Sequence, residues 1–357
     1  MKKKNIMDNI WFKLTLLLVC IRMFFYVLWR FFIIFHSNSK IIPLIIAIVL
    51  AIFVVWTFMY QWDNKIVDIM WTISSRIVVL WFLLMIILLV ESIISTRYKI
   101  NPRIIVWIIA SIFWLWTYFA LHTKIKNLNI ETDKIENDVK ILLVSDIHTE
   151  NVTQDFHVKK IIKTINEEKP DFVIIVGDLM NKPNYGYIDY LKSFKSVKDT
   201  PIFAVEWNHD VMWNTAIVQS IPDKSGIKIL NNESVKINWI QVIWIIDKSL
   251  WWNSAQQIMN QVKFDKNQNL FNILVTHQPI SLKKLNDYPI DLEVAWHTHQ
   301  GQFYGLRKVV KRMNDYAYWE YKLWDRTAFV TQWIWTRWLP FRLWTQSEMV
   351  IINLIKK

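Results

Sequence analysis

Ile41 to Tyr60 and Ile104 to Leu121 are apolar runs without one charged side chain, and each is close to the ~20 residues that a helix needs to cross a hydrocarbon core. Such runs must be kept out of water. Phe12 to Phe35 is as long and carries Arg22 and Arg30, while Met70 to Ile94 carries Arg76 and Glu91 near its ends. Arginines within a span snorkel or face the bundle interior, so both stretches are read as spans and Arg22 as structural. The expected organisation is a transmembrane region over residues 1–125, with four helices near 12–35, 41–60, 70–94 and 104–121. A linker over 126–138 and a second domain over 139–357 follow. The first apolar stretch is too long for a cleaved leader, and no small-residue cleavage site follows it. The expectation is therefore a multi-pass protein of the cell membrane.

Basic residues favour the cytoplasmic side. With the N-terminus inside, Lys2, Lys3, Lys4, Lys65, Lys124 and Lys126 fall inside, against Lys40, Arg97, Lys99 and Arg103 outside, which leans toward a cytoplasmic second domain. The net charge of +12 is spread, with 15 basic and 8 acidic residues before Val139 and 27 basic and 22 acidic from there on. No Lys/Arg run of the kind that tracks a nucleic-acid backbone occurs, so nucleic acid is not expected as a partner. The bilayer is. The single cysteine, Cys20, lies in the first apolar stretch and excludes an intrachain disulfide.

Ordinary chains are about 7% glycine, yet this one has five glycines and 22 tryptophans, and all five glycines follow residue 176. Trp333, Trp335 and Trp338 crowd a turn-like stretch ending at Pro340, where bulky rings have no evident partner. Some bacteria read the codon UGA as glycine, so many of these tryptophans are expected to be glycines in the native protein. The alternative is a truly Trp-rich membrane protein with interfacial belts.

From Val139 onward, short β-rich runs alternate with amphipathic helices, the pattern of a layered α/β domain. Val139 to Val144 is a strand candidate followed by Asp146-Ile147-His148. Val158, Ile161, Ile162 and Ile165 then recur at helical spacing. Phe172 to Val176 leads into Gly177-Asp178, and Ile202 to Val205 into Trp207-Asn208-His209-Asp210. Phe271 to Val275 precedes Thr276-His277, and Leu292 to Ala295 precedes Trp296-His297-Thr298-His299. Singly, each motif reads as a turn or a hydrogen-bonded histidine. Five in succession, each after an apolar β run, put oxygen and imidazole donors at strand carboxyl ends, where open α/β sheets form their crevices. That donor set suits divalent metal ions and metal-assisted phosphoester hydrolysis.

The order of these motifs resembles the calcineurin-like metallophosphoesterase superfamily, in particular its bacterial membrane-anchored branch, over roughly residues 138–355. Two of the superfamily's motifs have glycine where this chain has Trp207 and Trp296. Gln300-Gly301-Gln302 is also similar to that branch. So is the tail to Arg342, once glycine is read at Trp333, Trp335 and Trp338. The resemblance implies an α/β fold class: a four-helix transmembrane region followed by a four-layer α/β/β/α sandwich. It also implies two divalent metal ions, manganese, iron or zinc. Asp146, His148, Asp178 and His299 would hold the first, and Asp178, Asn208, His277 and His297 the second. Asp178 would bridge them, as a two-oxygen carboxylate can. His209 would act at the leaving oxygen, with Asp210 orienting its ring; a turn or helix-cap role is the other reading of Asp210. The implied substrate is a phosphorylated small molecule or lipid, a phosphomonoester, phosphodiester or pyrophosphate. The alternative, which indoles at Trp207 and Trp296 would favour, is a catalytically inactive membrane scaffold with a degenerate phosphoesterase domain.

Overall fold

The computed structural model describes residues 10–34, 39–59, 65–94, 101–145, 147, 154–177, 179, 185–204, 219–245, 257, 259–260, 262–276, 279–295, 316, 318–331 and 347–357. The chain divides into two compact units, with the main boundary between Tyr118 and Phe119.

Four helices make up the first unit: α1 (Ile10–Ile34), α2 (Ile41–Met59), α3 (Lys65–Ile94) and α4 (Pro102–Leu121). They coincide with the four expected spans. By length and composition, however, only the stretch Leu14–Ile33 within α1 qualifies as a membrane span among the described residues. The other apolar parts are shorter, at Ile41–Thr57, Leu80–Ile94 and Arg103–Phe119. Small residues on α2, Ala47 and Ala51, let α1 pack closely against it around Cys20 and Phe24, as small side chains do between membrane helices. Phe24 meets Trp81 of α3 edge to face, with ring centroids 5.2 Å apart. Arg30 does not snorkel: its guanidinium bonds Glu91 of α3 at 2.5 Å. Away from these contacts the helices expose Ile45, Val49, Ile52, Trp107 and Trp114.

The second unit is built on two six-stranded sheets. The first has the order β1 (Lys124–Thr132), β12 (Glu348–Lys356), β2 (Val139–Ser145), β3 (Phe172–Val176), β4 (Ile202–Ala204), β5 (Lys228–Ile229). The second has the order β10 (Trp319–Leu323), β11 (Arg326–Val330), β9 (Leu292–Ala295), β8 (Phe271–Val275), β7 (Ile240–Trp244), β6 (Ser234–Ile237). Within the first sheet β2, β3, β4 and β5 run parallel, and β12 lies antiparallel to β2. Within the second, β7, β8, β9 and β11 run parallel.

The central strands are buried on both faces, which is why they read as unbroken apolar runs. Inner faces of both sheets share one core, in which Ile141, Phe172, Phe203, Trp244, Ile273 and Phe329 take part. Each such side chain removed from water contributes about 1.5–3 kcal/mol. Helix α5 (Gln154–Glu168) adds Val158, Ile161 and Ile165 to this core, as their spacing requires. Beyond the second sheet, Leu274 and Ile243 meet a separate cluster with Met259, Val262, Ile280, Leu285 and Tyr288. The described residues there include helical positions at Gln257 and Met259 and a 3-10 turn, Leu282–Leu285. Two sheets in a mixed α/β arrangement are thus present.

The segment 126–138, expected as a linker, differs. Residues 126–132 belong to β1, which pairs with β12 over nine residues, from Lys124 opposite Glu348 to Thr132 opposite Lys356. Its polar sequence KIKNLNIET suits an edge strand, where lysines discourage pairing with other chains, and for the same reason it resembles a linker.

Candidate functional site at the carboxyl edge of the two sheets

Parallel register sets which chain ends come together. Ser145 lies opposite Val176 and Ile175 opposite Ala204, so β2, β3 and β4 finish nearly level. In the other sheet Trp244 lies opposite Val275, and Val275 opposite Val294. Beyond the strands, the amide of Thr276 donates to the carbonyl of Val294 at 3.0 Å and that of Thr331 to Ala295 at 2.9 Å.

Two polar ties show that both sheets present their carboxyl ends on the same side. The register of β12 on β2 sets Glu348 beside the carboxyl end of β2. Its carboxylate accepts a hydrogen bond from Thr331 Oγ1 at 3.0 Å, just past the end of β11, and pairs with Lys126 Nζ at 2.7 Å. At the opposite edge Lys134 Nζ reaches Asp291 Oδ1 at 2.6 Å, joining the turn after β1 to the residue before β9. Burial raises the Asp291 pKa, against the pull of the Asn272 amide and of Lys134.

Ser145, Ile147, Gly177, Leu179, Ala204, Thr276 and Ala295 are all at this carboxyl edge or directly beyond it, and those outside the glycine are buried. Gly177 has φ 76°, a left-handed conformation that glycine takes without strain, so the chain turns sharply before Asp178. The predicted metal ligands Asp146, His148, Asp178, Asn208, His277, His297 and His299 lie outside the described residues, as do His209 and Asp210. Each stands within a few residues of one of these strand ends. Among the described residues no group of three His, Cys, Asp or Glu side chains gathers as a metal site.

One ionisable group near this edge escaped the sequence reading. Glu293 in β9 is fully buried; burial pushes its carboxyl up to about 7, against the opposing hydrogen bonds from the Ile280 amide and Thr276. The signal was a charged residue inside the apolar run Leu292–Ala295. A cleft of about 650 Å³, lined by Ile135, Glu136, Val139, Lys236 and Trp239, lies at the opposite edge, away from the strand ends that matter here.

Residues 139–301 match the family model described as calcineurin-like phosphoesterase. The chain carries a calcineurin-like phosphoesterase domain. An "Uncharacterized metallophosphoesterase" of Helicobacter pylori is similar at 29% identity over 251 residues, covering 69% of this chain and 68% of that one. A "Transmembrane protein with metallophosphoesterase domain" of Danio rerio is 27% identical, covering 66% and 57%. The UDP-2,3-diacylglucosamine pyrophosphatase of Chlamydia trachomatis is 24% identical, covering 46% and 64%. The family match opens at Val139, the first residue of β2, so the phosphoesterase domain gains β1 and β10–β12 from sequence on either side of it.

Proposed function

We propose that this protein is a membrane-anchored, metal-dependent phosphoesterase. Its substrate would be a phosphomonoester, phosphodiester or pyrophosphate, with a lipid headgroup as the favoured class. The observation that carries this reading is the common carboxyl edge: Ser145, Val176, Ala204, Val275 and Ala295 end five strands there, and the donor motifs follow each of them in the chain.

The donor set, two aspartates, one asparagine and four histidines, fits two divalent ions of borderline hardness. Asp146, His148, Asp178 and His299 would hold one, and Asp178, Asn208, His277 and His297 the other. Bound cations of this kind supply charge neutralisation for phosphoryl oxygens and acidify a water. The chain's own contribution is to hold those donors on rigid strand ends. His209 would protonate the leaving oxygen while Asp210 fixes its tautomer.

Membrane anchoring is supported by α1 and by the apolar faces that α2 and α4 turn outward at Ile45, Val49, Trp107 and Trp114, since a soluble monomer rarely exposes apolar patches beyond a few hundred Å². All four helices would cross, with the phosphoesterase domain on the cytoplasmic side. The printed name of the Chlamydia relative, a pyrophosphatase of a diacylated sugar nucleotide, favours a lipid-linked substrate.

A catalytically inactive scaffold is the second reading, and Trp207 and Trp296 favour it if they are tryptophan in the cell. Against it stand two backbone conformations: Trp319 and Trp324 have φ 72° and 57°, where glycine is at ease and an indole-bearing residue is strained. Many of the 22 tryptophans would then be native glycines, and those at 207 and 296 would leave the cleft open. The decisive assay is hydrolysis of bis-p-nitrophenyl phosphate with manganese. Chelator should abolish it and Asp178→Asn should remove nearly all of it; turnover that survives either would end the two-metal reading.

A further inference from the structure

Glu293 sits opposite Leu274 in the register of β9 on β8, so its side chain leaves the second sheet on the same face as Leu274. That face is apolar: Ile243, Leu274, Ile280, Leu285 and Ile290 cover it. A carboxyl group there is expensive, because burying an ionised carboxylate without a countercharge costs several kcal/mol. No cation pairs with it among the described residues. A leucine or methionine at this position would extend the cluster and avoid the desolvation altogether.

What the carboxylate does hold is the chain that leaves β8. Glu293 Oε1 accepts a hydrogen bond from the Ile280 amide at 2.5 Å and a longer one from Thr276 Oγ1 at 3.5 Å. Its other oxygen, Oε2, has no partner among the described residues. One oxygen therefore ties both ends of a short segment, of which only 277, 278 and 279 lie between the two attachment points. His277 is in that segment. Thr276 is held a second time by its amide on Val294, next to Glu293.

We propose that Glu293 is a positioning residue for His277: by fixing Thr276 and Ile280 to β9, it restricts where the intervening chain can carry its imidazole. The proposal rests on the two-metal reading. It explains why a costly carboxyl group occupies an apolar cluster, since ligand orientation by an outer hydrogen bond typically changes metal affinity 10- to 100-fold, whereas the packing there would be served as well by a hydrocarbon.

The test uses the full chain in detergent as wild type, Glu293→Gln, Glu293→Met and Thr276→Val. Two quantities are read: manganese affinity by titration calorimetry, and amide hydrogen exchange of peptides covering 276–281 in chelated protein. Glu293→Met should weaken one of two manganese sites by about 10- to 100-fold, leave the other unchanged and speed exchange across 276–281. Glu293→Gln, which keeps an acceptor oxygen, should restore both, and Thr276→Val should show a smaller loss at the same site. Wild-type affinity and exchange in the methionine variant would overturn the proposal. So would a glutamine variant as impaired as the methionine one. A wild-type chain that binds no manganese would overturn the two-metal reading instead, and the exchange comparison would still decide whether Glu293 holds the segment.

Discussion

Glu348 accepts a hydrogen bond from Thr331 at 3.0 Å, and with it a strand of one sheet grips the end of a strand in the other. The same carboxylate, 1% exposed, pairs with Lys126 Nζ and accepts from Tyr318 OH at 3.1 Å. Lys126 is further held over the ring of Tyr318. Three donors from three different strands or their flanks thus converge on one buried anion at the carboxyl edge of the sheets.

Removing that anion should loosen the sandwich where its two sheets meet. Breaking a buried pair costs roughly 3–5 kcal/mol, and Glu348→Ala should come in at the lower end of that, because the Lys126 side chain keeps 31% of its exposure and can be rehydrated. Chemical denaturation with a metal chelator present measures this directly. A loss under about 1 kcal/mol, the scale of a surface pair, would mean that this buried anion does not hold the two sheets together.

Glu293 makes stability depend on pH with a defined sign. Its carboxyl is pushed up to about 7 from 4.5, so the folded state binds the proton more tightly than the unfolded chain does. Its contribution to stability is then full below about 4.5, declines as pH rises toward 7, and is flat above. In chelated protein the stability of wild type relative to Glu293→Gln should fall across that window by a few kcal/mol at most. A flat difference from pH 4.5 to 7 would place the carboxyl in a wetter setting than its burial indicates.

His209→Ala should lower turnover by roughly 10²- to 10⁴-fold, the range of a general acid, while two manganese ions stay bound. Loss of one ion in that variant would make His209 a ligand and reassign the leaving-group role.

Trp324 occupies the two-residue loop between β10 and β11 with φ 57°, and the residue is 76% exposed. Relief of a left-handed conformation is worth roughly 1–2 kcal/mol per residue, and the exposed ring contributes little packing to oppose it. Trp324→Gly should therefore stabilise a chain made with tryptophan. In native material, peptides covering Trp207, Trp296, Trp319, Trp324, Trp333, Trp335 and Trp338 should each carry the mass of glycine. Tryptophan masses there would remove the recoding reading and favour the inactive scaffold.

Protease added to intact cells should leave the chain after Lys126 uncut if the phosphoesterase domain faces the cytoplasm. Cleavage in that region would reverse the orientation.

Much of this protein is written in local pattern. Val139–Ser145, Phe172–Val176, Phe271–Val275 and Leu292–Ala295 are buried on both faces, so each appears as an apolar run with a turn or donor motif after it. The helical spacing of Val158, Ile161 and Ile165 is equally local, and the four apolar stretches of the N-terminal unit became four helices. The motif order alone led to the phosphoesterase family. Edge strands were not legible in this way. Lys124–Thr132 alternates polar and apolar residues as a solvated linker also can, and only its nine-residue pairing with the far end of the chain, at Glu348–Lys356, makes it a strand. The roles of Glu293 and Glu348 were decided by tertiary structure as well, because a carboxylate's partners depend on which strands lie beside it. Ile280 and Thr276 are 13 and 17 residues from Glu293, and Lys126 is more than 200 from Glu348. Apolar periodicity reports which face a residue buries, whereas hydrogen bonding between distant segments is specified by sheet order and register, which no local window of sequence contains.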